Sequence, residues 1–495
     1  QTPDFSPAPA DTGMTFHAET LPNADKAKWS WIGAISLSDV GAPVVAVANG
    51  SSVRLSTGAT FAFPGGTAKT APTPEGVVPI DFNYDFKTDL VLAGAGGVRF
   101  LRQDNPVTFT DVTAQTKLPR SVIDGHFTGA WAVDIEADGD LDVVLGASTG
   151  LPMVLRNNGD GTFTTTSPFA GVSGVRSFVW ADLNGDGNPD ATLIDGVGRL
   201  HVFINERSGK FVEIAVPAEL GTVKAITAAD VSHNGVLDIV AVRGDGAVLR
   251  LARVSHGTEW VVTELARVPD ASNYLANEVR LTAADLDNNG ALDLLLGQVT
   301  FGSGSSSPGA LMWLGGSKDN FVRVNTGTAP VMVFDAADLG SNGRLDLLGL
   351  TLEGQPVREI NQGTRNYHWQ TIRPRAKQAT GDQRINSFGV GGEIEIRSGL
   401  LVQMQPITGP QVHFGLGEEA GVDVARILWP NGTVRAEFAM KADQEVVTEQ
   451  RLKGSCPFLF AYNGRTMEFV KDAVPWGSAI GLRINNLGTA SIAAT

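Results

Sequence analysis

The chain has 495 residues, a formal net charge of −15, 18% charged residues and 58 glycines. That length allows a large buried core and more than one domain, and acidity without a basic stripe or a recognised motif excludes a nucleic-acid partner. No apolar run reaches membrane-spanning length, so the chain is read as not membrane-spanning.

The chain opens at Gln1 with a polar, proline-containing lead, QTPDFSPAPADTG, the composition expected of a mature secreted protein. A strand-like piece, MTFHAET (Met14 to Thr20), follows without a neighbouring partner in sequence. Next, ISLSDVGAPVVAVANG (Ile35 to Gly50) has a strand, turn and strand outline.

From Asp81 onward an acidic nine-residue loop recurs six times, each copy running into an apolar strand. The copies are DFNYDFKTD (Asp81 to Asp89), DIEADGDLD (Asp134 to Asp142), DLNGDGNPD (Asp182 to Asp190), DVSHNGVLD (Asp230 to Asp238), DLDNNGALD (Asp285 to Asp293) and DLGSNGRLD (Asp338 to Asp346). Their starts lie 53, 48, 48, 55 and 53 residues apart, a period that suits one four-stranded sheet per repeat. Within one period, apolar-rich segments at Ser177 to Ala181, Ala191 to Ile194, Leu200 to Ile204 and Phe211 to Val216 are separated by turn residues, which is the anatomy of a propeller blade.

Side-chain oxygens recur at loop positions 1, 3, 5 and 9, and a glycine at position 6 in five copies lets the backbone turn so that they converge. The ligands expected on this basis are Asp81, Asn83, Asp85 and Asp89; Asp134, Glu136, Asp138 and Asp142; Asp182, Asn184, Asp186, the carbonyl of Asn188, and Asp190. The later loops supply Asp230, Ser232, Asn234 and Asp238; Asp285, Asp287, Asn289 and Asp293; and Asp338, Asn342 and Asp346. All-oxygen ligation in flexible geometry favours Ca²⁺ over Mg²⁺, so up to six Ca²⁺ sites are expected. Gly340 at position 3 and Phe86 at position 6 mark the Asp338 and Asp81 loops as the weakest. In the earlier Ile35 to Gly50 unit the ligand positions become Ser36, Ser38, Val40 and Val44, so that turn holds no site.

These units, with the linking phrases NNGDGTFTTTS (Asn157 to Ser167) and FTDVTAQTKL (Phe109 to Leu118), resemble the FG-GAP/VCBS repeats of integrin-α-like β-propellers. The resemblance covers roughly the first three-quarters of the chain and implies seven blades, with the Ca²⁺ loops joining the first two strands of a blade on one rim. The last unit stops after three strands near Ile360, so Met14 to Thr20 is expected to close the ring, with His368 to Arg375 as the substitute. Residues 1–362 are assigned to this propeller.

Residues 363–453 depart from the repeat. The phrases INSFGVGGEIEI (Ile385 to Ile396), HFGLG (His413 to Gly417) and ILWPNGTV (Ile427 to Val434) resemble the ASPIC/UnbV domain that follows such propellers in cartilage-acidic-protein-like and bacterial surface proteins. Alternation in EIEIRSGLLVQMQPI and the WPNG turn predict a small β-sandwich or barrel-like module, with His413 packed on a strand rather than ligating metal. Residues 454–495 begin a further hairpin around Asn463 and Gly464 and stop before completing a domain, which reads as a truncated β segment or one completed by another chain. The lone Cys456 has no intrachain partner for a disulfide.

The fold expected is thus all-β. The sequence contains no HExxH, no GxSxG and no phosphate-cradling glycine loop followed by lysine, and its seven histidines are scattered. His233, at position 4 of a loop, is expected to point outward, and Arg243-Gly244-Asp245 reads as a tight turn rather than a receptor motif. The functional expectation is a secreted, Ca²⁺-binding, non-catalytic binding or structural protein at the cell exterior, meeting a protein or glycan at the cell surface, or copies of itself. The alternatives are a self-assembling subunit of an extracellular filament or matrix, and a propeller enzyme acting on polysaccharide at the mouth of the central channel.

Overall fold

Seven four-stranded antiparallel sheets follow one another, each built from about one sequence period. In the computed structural model, residues 7–23, 26–38, 40–207, 209–254, 259–300, 309–317, 319–325, 332–376, 385–450, 458–472, 482–484 and 490–492 are described. The blades occupy residues 31–62, 77–111, 129–166, 175–214, 223–267, 279–324 and 332–361. In the fourth, the strands are Val175–Ala181, Asp190–Asp195, Leu200–Asn205 and Phe211–Ile214. Its second strand, DATLID, is buried at every position, as a near-continuous apolar run between two neighbouring sheets must be, whereas its outer strand is partly exposed.

Hydrophobic seams join each sheet to the next. Leu348 and Leu350 of the seventh blade, Trp31 and Ile32 of the first, and Leu90 and Leu92 of the second share one cluster. Separate clusters join the second and third blades through Phe100 and Leu145, the third and fourth through Val144 and Phe178, and the fourth and fifth through Ile194 and Ile239. Val240 with Leu294 and Leu295 with Leu347 complete the circuit. The seventh sheet takes its fourth strand from the N-terminal region: Phe16–Thr20 pairs antiparallel with Pro356–Asn361, Phe16 opposite Asn361 and Thr20 opposite Val357. His368–Arg375 lies elsewhere, between Val412–Gly417 and Gln444–Glu449 in a three-stranded sheet.

That three-stranded sheet packs against a four-stranded one, ordered Leu401–Pro406, Glu393–Ser398, Gly421–Leu428 and Val434–Lys441, around Ile394, Ile396, Phe414, Ile427 and Trp429. Two sheets over one core make this module a sandwich. Beyond it, Phe458–Tyr462 pairs with Met467–Asp472 about a turn at Asn463, and Leu482–Ile484 pairs with Ala490–Ile492. Cys456 lies outside the described residues.

Deleting residues through Thr20 strips Pro356–Asn361 of its outer partner and leaves an unpaired sheet edge. The expected outcome is a lower melting temperature together with association, read by thermal denaturation and light scattering. A truncated chain that stays monomeric and melts like the parent contradicts it.

Candidate metal centre

One hydrogen bond recurs in all six loops: the amide of position 6 donates to the carboxylate of position 1. The N···O distances are 2.8 Å for Phe86 to Asp81, 3.1 Å for Gly139 to Asp134, 2.6 Å for Gly187 to Asp182, 2.7 Å for Gly235 to Asp230, 2.8 Å for Gly290 to Asp285 and 2.6 Å for Gly343 to Asp338. Position 6 must then be left-handed, and φ runs from 65° at Phe86 to 95° at Gly139. A phenylalanine there is strained, and packing offsets it: Phe86 enters the core of the C-terminal module, with the Arg375 guanidinium 5.1 Å from its ring centre.

The last aspartate of the loop ties strands together. Asp142 accepts the amides of Ile135 at 2.9 Å and of Asn157, on the third strand, at 2.7 Å. Asp89, Asp190 and Asp293 each repeat this double acceptance with Phe82 and Gln103, Leu183 and Asn205, and Leu286 and Gly315. Positions 1 and 9 therefore serve the backbone whether or not an ion is bound.

What varies is the charge facing these pairs. In the Asp285 loop, ligand atoms of Asp285, Asp287 and Asp293 all lie within 4.8 Å of one another, and Asp285 Oδ1 is buried without a hydrogen-bond donor. Three carboxylates at that spacing with an orphaned oxygen suit a hard cation, and Asn289 stands in the same loop as a further oxygen donor. In the Asp134 loop, Arg156 reaches Glu136 at 2.6 Å and Asp138 at 4.0 Å. In the Asp81 loop, Lys87 meets Asp85 at 3.2 Å, and the Ser387 hydroxyl donates to Asp81. In the Asp182 loop, the side-chain amides of Asn184 and Asn188 both donate to Asp186, and Asp182, Asp186 and Asp190 are not drawn together as the acids of the Asp285 loop are.

The two loops with only two carboxylates carry an arginine instead. Arg250 meets Asp238 at 3.1 Å, and Arg358 meets Asp346 at 2.5 Å. Both arginines sit on the third strand, opposite the residue two beyond the last loop aspartate, Val240 and Leu348. In the other four blades the same register position is Phe100, Val154, Val202 or Met312. A guanidinium thus pairs with the last aspartate of the Asp230 and Asp338 loops, an acid that the sequence pattern assigned to an ion. The sequence signal was available, since arginine replaces an apolar residue only in the copies that have lost acids.

Burial, with neighbouring carboxylates adding, pushes Asp89 up to about 8, Asp134 and Asp190 to about 7, and Asp287 to about 6. Asp142, Asp285 and Asp293 are raised well above the ordinary range by the same causes. A bound cation would lower these groups again and hold them ionised.

The module sits on this rim. Its Tyr84 and Phe86 contacts lie at the second blade, Asn386 bonds Asp134, and Gly391 packs on Trp180 and Pro189. Met404 joins Ala228 and Leu237, Arg373 donates to the carbonyls of Ser38 and Gly41, and Gly343 faces Trp369. Glu393, buried and near Asp182 and Asp230, is raised to about 8, by burial first and by those two aspartates. His413 is packed on its strand, its Nε2 2.8 Å from Asn288 Oδ1, and burial lowers it to about 4, so it donates as a neutral ring. His233 departs from its expected outward orientation: it is half-buried and bonds the backbone at Gly316.

Module residues Val390 and Gln405–Thr408 also form part of the wall of a chamber of about 800 Å³ on the propeller axis. Within it, Arg280 lies 3.9 Å from Glu75 and acts electrostatically on Asp335, whose carboxylate accepts the amides of Ala34 and Ala336 at 2.9 Å each. Arg243 and Asp245 bond each other at 2.8 and 2.6 Å, which engages both charges of that tripeptide.

FG-GAP-like repeats are matched at residues 81–145 and 134–193, and an ASPIC and UnbV domain at residues 382–453. The chain therefore carries both. No curated protein sequence matches it. Among solved structures, it is similar to an Agrocybe aegerita lectin described for specific recognition of non-reducing terminal N-acetylglucosamine, at 18% identity and a TM-score of 0.44 over 66% of this chain and 94% of that one. It is also similar to BBS1N in complex with ARL6DN, at 12% identity and a TM-score of 0.44 over 69% and 94%. A Photorhabdus luminescens Tc holotoxin pore matches at 16% identity and a TM-score of 0.35 over 79% of this chain and 20% of that one.

Two outcomes follow. In chelator, the folded carboxylates protonate near pH 6–8 and the unfolded ones near 4, so the folded state binds more protons in that window and stability falls as pH rises through it. In excess Ca²⁺ the ion holds the folded carboxylates ionised, as they already are in the unfolded chain, so the slope flattens; melting curves at pH 5.5 and 8, with and without Ca²⁺, check this. Second, Arg358→Met leaves buried Asp346 without its cation, at a cost of about 3–5 kcal/mol in chelator, part of which Ca²⁺ restores; denaturant titration measures it.

Proposed function

We propose that this chain is a Ca²⁺-stabilised propeller that acts outside the cell as a non-catalytic binding or structural protein. The observation that carries the metal reading is the Asp285, Asp287 and Asp293 cluster with its orphaned Asp285 oxygen. FG-GAP-like repeats and oxygen-only ligands support Ca²⁺, and weak sites of this kind fill at extracellular ion levels, which supports secretion. The arginines in the Asp230 and Asp338 loops reduce the expected stoichiometry from six ions to four at most.

The axial chamber supports the non-catalytic side of the reading. Its carboxylates are already engaged within the wall: Glu75 lies 3.9 Å from Arg280, and Asp335 accepts the amides of Ala34 and Ala336. Partners proposed for the exposed surface are a cell-surface protein or glycan, or further copies of this chain, the last drawing on strand pairs 458–472 and 482–492 beyond the module.

The test is calorimetric titration with Ca²⁺ and Mg²⁺, paired with melting curves in Ca²⁺ and in chelator. Sites with dissociation constants near the ion concentration contribute about 0.4–1.4 kcal/mol each, so several together raise the melting temperature by several degrees. Asp287→Asn should lose more of this Ca²⁺-dependent gain than Asn342→Ala, because only the first removes a charge from the carboxylate cluster. Identical curves in Ca²⁺ and chelator overturn the metal reading.

A further inference from the structure

The Asp285 loop differs from the other five in being enclosed by a second domain. Asp285, Asn289 and Asp293 have no exposed surface, and Asp287 is 8% exposed. The cover is the module's HFGLG strand and the strand before it. Gly415 lies so close that a Cβ there would meet Asp285 Oδ2 at 2.1 Å and Asn288 Cα at 2.5 Å, and Leu401 lies as tightly over Gly290. Gln403 Nε2 donates to Asp285 Oδ2 at 3.4 Å, and the Gly417 amide donates to the Asn288 carbonyl at 2.8 Å. From the other side, the Asp11 amide donates to Asp287 Oδ2 at 2.6 Å. Asp287 and Asp293 have donors on both oxygens, so Asp285 Oδ1 is the one carboxylate oxygen of the three left aimed into the closed space without a partner.

We infer that this loop and the underside of the module form one composite cation site, in which the docked module traps a single divalent ion and the ion in turn holds the module on the propeller. The inference rests on the metal reading above and adds Gln403, Leu401 and Gly415 as positioning residues. An ion held between Asp285, Asp287 and Asp293 bridges the acids directly beneath the module, and removing it takes that bridge away, so emptying the site weakens docking. Lifting the module removes the cover that Leu401, Gln403 and Gly415 provide over the loop, so docking slows escape. The two effects are one coupling free energy seen from each end.

The test uses the full chain loaded with Ca²⁺ and mixed rapidly with a chromogenic chelator. The parent should release its ions in two phases, the slow one amounting to one ion per chain. Gly415→Ala, which pushes the strand off Asp285, should speed that phase by about tenfold or more while leaving the fast phase unchanged. Gln403→Leu, a milder change, guards against misfolding of the first variant and should shift the same phase in the same direction. Hydrogen exchange supplies the reciprocal readout: amides of Val412–Gly417 should lose protection in chelator and in Asp293→Asn. Release of all ions in one phase overturns the inference, as does a slow phase unchanged in folded variants of both kinds, or protection of Val412–Gly417 that does not respond to chelation. A chain that binds no Ca²⁺ at all overturns the metal reading itself.

Discussion

In the second to seventh blades an aspartate at loop position 1, and in most of them a second at position 9, accepts backbone amides from its own blade. Position 1 closes the loop by accepting the amide of position 6, and position 9 accepts one amide from the loop and one from the third strand, as Asp142 does with Ile135 and Asn157. An unpaired amide at either place would be buried beside a seam between sheets, where desolvation without a partner is costly. The aspartates are thus structural first, and they bring negative charge to one rim of the ring as a consequence. Everything else on that rim answers this charge.

Three answers coexist in one chain. In the Asp230 and Asp338 loops a third-strand arginine neutralises the pair directly. In the Asp134 loop Arg156 takes part of the charge of a loop that contains five carboxylates, four of them at the expected ligand positions. In the Asp285 loop no arginine or lysine is within ion-pair distance among the described residues, and the acids are the most buried of all. An arginine pair is permanent, whereas an ion can leave, so the blades differ in whether their stability responds to the surroundings. The gradient across the ring, from protein-borne to solvent-borne cation, is readable from the single register position occupied by Arg250, Arg358 or an apolar residue.

The repeat, the four-strand blade and the position of the loops were legible because they depend on short-range rules: alternation, turn glycines and the spacing of acids. Which loops hold an ion was less legible, because Asp at position 1 accepts the position-6 amide in every copy and Asp at position 9 accepts a third-strand amide in five. Six copies in register therefore testify to the blade more than to the metal; the discriminating residues are at positions 3 and 5 and on a strand some twelve residues downstream. Phe86 shows the same limit. As a loop residue it breaks the glycine rule, and only the module, some 300 residues later in the chain, explains it, by receiving the ring into its own core. Gly415 and Gly417 are the converse case, glycines in a strand whose reason is the close approach of a loop from another domain.

The chemistry of the module's underside follows from the same charge. A domain resting on an acidic rim would be expected to bring lysines and arginines to it, yet the groups that touch the loop carboxylates are Ser387, Asn386 and Gln403, with His413 neutral against Asn288. Glu393 adds a buried carboxyl near Asp182 and Asp230. Neutral donors and one more acid are poorly chosen partners for bare carboxylates, and well chosen for carboxylates already holding cations, where an arginine would be repelled and a neutral amide or hydroxyl completes the remaining lone pairs. Of the module's arginines, Arg373 goes to the carbonyls of Ser38 and Gly41 and to its own Glu445, at the first blade, where the acidic loop is missing, and Arg375 stacks on the Phe86 ring. Among the described residues the interface thus meets the loop carboxylates with neutral donors and not with guanidinium or ammonium groups.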